Sequence, residues 1–328
     1  MTTTYPTEPG GDLATAAAFF ELGDRLGILH LLETNPHVRP DAVAGEVDLP
    51  EANVRDYLEA MRHAGFAEAD DEGRYRLADD YPDIRYQAGY VSWSMNANRP
   101  YIEHAREFLL DPDNADRTYQ RDLRQVAVAS EWIGRRAFYP AALEAIISLA
   151  PTRFVDLGAG SGRLLIDILS RFPESTGLAL DISAGACEQA ELQAKKAGLE
   201  DRLTVVCRSI QSVADDPSVI AGADVIHGGF VFHDMMPEDE EVADRLLARC
   251  RETLGERGTM AISDVVPYRD ERRERAFSAC TTYFHQAFMH RRLLTIDEWR
   301  EKFHNAGFGH VEVVQHRLPS GRLFLATA

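Results

Sequence analysis

The sequence predicts an α/β protein, with a mostly parallel sheet covered by helices on both faces, an antiparallel hairpin at its C-terminal edge and an α-rich N-terminal domain in front. Three observations carry that expectation. From residue 153 onward, short apolar runs alternate with amphipathic stretches, the pattern of strands joined by crossover helices. Residues 1–85 show helical spacing and a single short hairpin signal instead. The chain has 328 residues, and single hydrophobic cores stop growing near roughly 250–300 residues, so more than one domain is expected.

The start, MTTTYPTEPGGD, is polar and lacks the basic-then-apolar order of a signal peptide. Leu13, Ala16, Ala17, Phe20, Leu26, Leu29 and Leu32 then recur at helical spacing, with Gly23 and Gly27 between them, predicting a helix pair. Two short helices follow, the second opened by Pro50. Asp71, Glu72 and Gly73 next separate two alternating runs, a hairpin signal. Helix, helix, helix, hairpin is the winged-helix order, which raises DNA binding as a function.

Charge argues against it. The chain carries 53 acidic and 35 basic residues, a net charge of −18, and residues 1–85 alone hold 18 acids to 7 arginines. A phosphate backbone is repelled by such a surface. Helical dimer contacts are the expectation for this domain, and a metabolite-sensing DNA regulator is the competing one. Only Lys195, Lys196 and Lys302 are lysines, a bias read as genome composition. Cys187, Cys207, Cys250 and Cys280 form no C-x-x-C pair and are expected to be buried free thiols in a reducing cytoplasm. No apolar run approaches the ~18 residues of a membrane span, so a soluble, cytoplasmic protein is expected.

Residues 86–150 read as mostly helical, with interspersed aromatics and arginines. Thereafter the sequence predicts strands in RFVDLG, TGLALD, RLTVVC, ADVIHGGFVF and GTMAISDVV, helices between them, a long helical region over 270–306, and a closing pair HVEVVQHRL and GRLFLATA.

The strongest motif is Val155-Asp156-Leu157-Gly158-Ala159-Gly160-Ser161-Gly162, where a strand turns into a helix. Glycines there let the backbone approach a ligand at the carboxyl edge of the sheet. The spacing departs from the G-x-G-x-x-G of dinucleotide sites, and Asp156 suits a cationic amino-acid end better than a diphosphate. Asp181 closes the next strand, placed to accept ribose hydroxyls. After the fourth strand comes Gly228-Gly229-Phe230-Val231-Phe232-His233-Asp234. His285 borders the apolar stripe Phe277, Thr281, Phe284, Phe288 of a later helix, while His290 lies about 140° further round. Two imidazoles without cysteine suit Fe, Zn, Cu or Ni and leave positions open for a chelating substrate. Asp234 is either a group that orients water or an imidazole, or a helix N-cap. His227 is expected to end a buried strand.

Through DLGAGSG and LALD the chain resembles class I S-adenosylmethionine-dependent methyltransferases with a Rossmann-like fold, and from end to end it is similar to small-molecule O-methyltransferases with a winged-helix front domain. The resemblance implies a winged-helix dimerisation domain over 1–88, a helical bridge and substrate cap over 89–150, and a Rossmann-like methyltransferase domain over 151–328. It implies S-adenosylmethionine contacts from Asp156, Gly158, Gly160, Gly162, Asp181 and Gly229, with Ser209 and Ile210 beside adenine, where the family's frequent acid is missing.

His233 and His285 further resemble the paired metal-binding histidines of α-keto acid C-methyltransferases, typified by phenylpyruvate C-methylation in nonribosomal peptide pathways. That similarity implies an iron or zinc ion, an α-keto acid substrate, a carboxylate-binding arginine at Arg121, with Arg117 or Arg124 as substitutes, and a pocket of Trp93, Phe230 and Phe288. Homodimerisation, an antibiotic-type pathway and no nucleic-acid or membrane partner are expected. The competing reaction is metal-free O-methylation of a phenol or polyketide hydroxyl with His233 as base.

Overall fold

The computed structural model describes residues 8–328; the first seven residues of the polar start, and the leader expectation placed on them, lie outside the described residues. Two compact units divide the chain, one reaching residue 105 and resuming over 113–136, the other comprising 106–112 and 137–328.

In the first unit, helices Pro9–Arg25 and Ile28–Thr34 meet at Gly27, whose φ of 76° reverses the chain at no steric cost. The first helix begins at Pro9, four residues before the apolar spacing does. Helices Pro40–Val47 and Glu51–His63 follow, then β1 (Ala67–Ala69) and β2 (Tyr75–Leu77), paired antiparallel. Asp70 holds the turn between them, its Oδ1 accepting from the backbone of Glu72 and Arg74 at 2.9 and 3.0 Å. Val38 adds an isolated bridge to Tyr75. Four helices thus precede the hairpin. Phe20, Leu58, Met61 and Trp132 centre its core. Tyr57 donates to the Phe19 carbonyl at 2.9 Å, and the lack of a side chain at Gly23 gives its hydroxyl room.

In the second unit, helix Tyr139–Leu149 leads into β3 (Arg153–Leu157), β4 (Thr176–Asp181), β5 (Leu203–Cys207), β6 (Val225–Gly229) and β7 (Thr259–Val265), all parallel. With β8 (His310–Gln315) and β9 (Gly321–Thr327) the order is β5-β4-β3-β6-β7-β9-β8. The terminal hairpin forms the antiparallel edge as the sequence predicts, with β9 paired to β7 and β8 outermost. Every β7 residue is buried, as a strand flanked on both sides and covered on both faces must be. Trp299, Phe303, Phe308 and Phe324 stack on one face around helix Ile296–Asn305.

Two element boundaries differ from the sequence pattern. The fourth strand of the parallel set stops at Gly229, because Phe230 takes a left-handed φ of 56° that no strand continues through. The helical region over 270–306 is two helices, Arg275–Ala287 and Ile296–Asn305, the second started by a capping box between Thr295 and Glu298. All four cysteines are free thiols, but Cys207 is exposed where burial was expected. Among the described residues no helix is long and apolar enough to cross a membrane.

The Gly23 site makes a test of the first core. A methyl at Gly23 overlaps the Tyr57 hydroxyl, whereas one at helical Gly45 meets nothing within 4 Å. Urea denaturation of Gly23→Ala should show a loss of about 1–3 kcal/mol, and Gly45→Ala a gain of about 0.5–1 kcal/mol; equal effects would refute the packing assigned here.

Candidate active site

The chain runs outward from β3 through β4 to β5 and then returns to β6 on the other side of β3. Loops leaving the carboxyl ends of β3 and β6 therefore part in opposite directions and open a crevice, the place where ligands bind in open α/β sheets. The glycine turn and the segment ending in His233 leave those two ends.

Gly158, Gly160 and Gly162 have φ of 76°, 54° and 72°. A side chain at Gly158 would overlap Val231, while at Gly160 nothing lies within 4 Å. The turn is tied to β4 by bonds from the Gly158 and Ala159 amides to the Leu180 carbonyl, at 2.7 and 3.1 Å. Asp181 is engaged by the same turn. One of its oxygens accepts from the Gly160 amide at 2.8 Å and the other from the Ser183 amide at 2.9 Å, leaving a second lone pair on each for a ligand hydroxyl. Asp156 departs from expectation. Its carboxylate is buried against the His227 ring, Oδ1 to Nδ1 at 2.7 Å, so it faces a side chain from the neighbouring strand. His227 accordingly sits inside β6, two residues before its end. Ile210 is buried and Ser209 half-buried at the turn after β5, and Arg208 is taken up by Asp216 at 3.2 Å.

Beyond β6, the Phe230 amide donates to the Ser263 carbonyl of β7 at 2.8 Å, and the chain then enters the short turn His233–Met235. His233 Nδ1 lies 2.6 Å from Asp264 Oδ1. Asp264, not Asp234, holds this imidazole. Asp234 is exposed, its carboxylate 3.7 Å from His233 Nε2 and 3.7 Å from the Arg291 guanidinium, too far for hydrogen bonds, and it caps no helix, since Phe232 precedes the turn and Asp239 the next helix. Burial opposes charge on His233, but the Asp264 carboxylate, by its field and its hydrogen bond, raises the group to about 9.

His285 comes from helix Arg275–Ala287 and is buried. Its Nδ1 lies 2.7 Å from the Thr281 carbonyl; a carbonyl only accepts, so Nδ1 carries the proton. The two rings meet with centroids 5.1 Å apart and planes at 84°. Both Nδ1 atoms are thus engaged, one by the Asp264 carboxylate and one by the Thr281 carbonyl. When Nε2 lies about 2.0–2.1 Å from an ion, the ring centre lies roughly 3 Å from it, so two such ligands place their rings about 5 Å apart. An imidazole whose other nitrogen donates to a carboxylate or carbonyl is the usual metal ligand. Asp264 Oδ2 and Thr281 Oγ1 are buried beside the pair without hydrogen-bond partners. The donor set fits an ion held by two protein ligands. Among the described residues no group of three or more His, Cys, Asp or Glu could hold one.

Phe230 packs on Phe138 at 4.4 Å, and Phe288 lies in a cluster with Phe108, Tyr283 and Phe284. Trp93 and Arg121 belong to the first unit. Trp93 is half-buried in the turn Ser92–Ala97, its carbonyl accepting from Asn98 at 2.8 Å. The Arg121 guanidinium lies 5.4 Å over the Tyr101 ring. Arg124 is paired with Asp24 at 2.6 Å and Arg117 is exposed.

Asp264 and His316 escaped the sequence reading. Asp264 had a signal, an acid inside the apolar run GTMAISDVV. His316 had none, since it looks like one more residue of a strand that in fact ends at Gln315. It is buried, both ring nitrogens lack partners, and burial together with the nearby His227 and Arg322 holds it down at about 3.

Residues 155–260 match the family model described as a methyltransferase domain. Methyltransferase ungE' of Aspergillus campestris is 28% identical over 199 residues, 58% of each chain; the chain thus spans less than two thirds of that relative's length. Among solved structures, the S-adenosylmethionine-dependent methyltransferase SibL in its apo form aligns over 97% of both chains with a TM-score of 0.57 and 17% identity. PigF with SAH aligns over 98% of this chain and 96% of that one, with a TM-score of 0.59 and 20% identity. Residues 155–260 are thus similar to a methyltransferase domain, and the fold is the Rossmann-like one of S-adenosylmethionine-dependent methyltransferases.

His316 also sets a pH dependence. An unfolded histidine titrates near 6.5, so as pH falls below that value the unfolded chain binds a proton that the folded one refuses until about 3. Its stability contribution is present above pH 6.5 and is lost on acidification by up to about 1.4 kcal/mol per pH unit. Urea midpoints from pH 7 to 4 should fall less steeply in His316→Leu than in the wild type; parallel curves would contradict the assignment.

Proposed function

We propose that the protein is an S-adenosylmethionine-dependent C-methyltransferase that acts at the β-carbon of an α-keto acid, with an ion such as iron or zinc held by His233 and His285, in natural-product biosynthesis. One observation carries this reading, the convergence of two imidazoles whose ring centres lie 5.1 Å apart and whose Nδ1 atoms are each held by an acceptor of the protein. Two protein ligands leave room for a substrate that chelates through its carboxylate and keto oxygens. Bound there, such an ion supplies Lewis acidity toward the keto oxygen and so acidifies the adjacent C–H.

The protein's own groups supply position and proton control. Asp264 keeps His233 in one tautomer and one orientation. The Thr281 carbonyl does the same for His285. The glycine turn over β3 and Asp181 form the cofactor cradle, with Gly160 the place where nothing obstructs a ligand. Phe230 and Phe288 are the proposed apolar lining beside the pair. The first unit is proposed as a winged-helix dimerisation domain of a homodimer, with no nucleic-acid partner.

The His233–Asp264 pair also supports the second reading, O-methylation with His233 as general base. The two part experimentally. Transfer of a labelled methyl group to phenylpyruvate, indolepyruvate, branched-chain keto acids and 2-oxoglutarate should be abolished by exhaustive chelation and restored by the ion. His285→Ala should lose both bound metal and turnover, and Asp264→Ala should lose about 10–100-fold in metal affinity or activity. Undiminished keto-acid turnover in chelator refutes the proposal; methylation of a phenol that ignores chelator and rises with pH toward about 9 establishes the alternative.

A further inference from the structure

The tip of the hairpin between β8 and β9 carries two polar side chains that the fold leaves unsatisfied. His316 is 1% exposed and Ser320 0%, and neither the two His316 ring nitrogens nor Ser320 Oγ has a hydrogen-bond partner among the described residues. Buried polar groups in folded proteins are nearly always hydrogen-bonded, and leaving one unmade is destabilising. Two on one hairpin tip mark a place that something polar occupies when the protein works.

That place is at the catalytic edge. β9 runs antiparallel to β7 with Gly321 opposite Val265, so the tip lies at the carboxyl end of β7, where Asp264 holds His233 and where the Phe230 amide is bonded to Ser263. The His316 ring stacks on Phe138, centroids 6.4 Å apart and planes at 25°, and Phe138 in turn packs on Phe230 at 4.4 Å. An aromatic path therefore joins the unsatisfied imidazole to the loop that carries His233.

The chemistry of the ligand follows from charge. Burial, His227 and Arg322 keep His316 neutral at physiological pH, so it offers one N–H donor and one bare nitrogen. The nearby Arg322 guanidinium is committed to Glu274, at 2.8 and 3.3 Å, and supplies no free cation for an acid. A neutral polar atom on a flat apolar group fits both the stack and the imidazole.

We propose that His316, with Ser320, recognises a neutral hydrogen-bonding substituent, a ring O–H or ring N–H, on an aryl side chain of the substrate, and so determines specificity. This rests on the keto-acid reading only for the reacting end of the molecule.

Calorimetric titration of the full chain loaded with S-adenosylhomocysteine tests it, comparing phenylpyruvate with 4-hydroxyphenylpyruvate and 3-phenylpropionate with its 4-hydroxy counterpart. The wild type should bind the hydroxylated member of a pair at least tenfold more tightly. In His316→Leu that ratio should fall to near one while the melting temperature rises, because two unsatisfied nitrogens are removed; His316→Gln, which keeps a donor and an acceptor, should restore part of the ratio. No preference in the wild type, no binding of either pair, or a preference that survives in His316→Leu overturns the proposal. Preference in the propionate pair without any keto-acid methylation leaves it standing and sinks the keto-acid reading instead.

Discussion

The hydrogen bond between His233 Nδ1 and Asp264 Oδ1, 2.6 Å long, is the constraint on which the rest of the site depends. It joins the loop after β6 to the end of β7, decides which nitrogen of His233 faces outward, and fixes the ring against His285. Asp264 can do this because it is 1% exposed and its Oδ1 also accepts from the Val265 amide at 2.8 Å. A carboxylate so enclosed has few orientations, and the imidazole inherits that rigidity. The same bond fits either of the proposed reactions. What separates the readings is His285, a buried second imidazole whose proton is already given to its own helix.

The parallel sheet and its crossover helices were legible because short apolar runs and helices with period 3.6 alternate over more than a hundred residues. Glycine placement was legible for the same local reason, since Gly158, Gly160 and Gly162 all take left-handed φ. His233 and His285 could be singled out from a strand end and a helical stripe together with the family resemblance.

Long-range pairing was not legible. Asp156 looked like a ligand-facing acid until its register opposite His227 put the two side chains on one face of the sheet. Asp234 stood next to His233 in sequence, whereas Asp264, thirty-one residues away, is its neighbour in space. The insertion of β9 between β7 and β8 is likewise a property of the whole sheet, and it is this insertion that delivers His316 and Ser320 to the carboxyl end of β7. Local pattern indicates which element a residue belongs to; only register indicates which side chains meet.

The most direct measurement of the central claim is X-ray absorption at the metal edge of the protein loaded with one equivalent of iron or zinc. Two imidazole nitrogens at about 2.0–2.1 Å, with lighter oxygen scatterers completing the shell, and the loss of one imidazole in His285→Ala, are what the paired geometry predicts. A spectrum with no imidazole scattering, or one unchanged by that substitution, would contradict it and leave a methyltransferase domain whose His233–Asp264 pair acts without a metal.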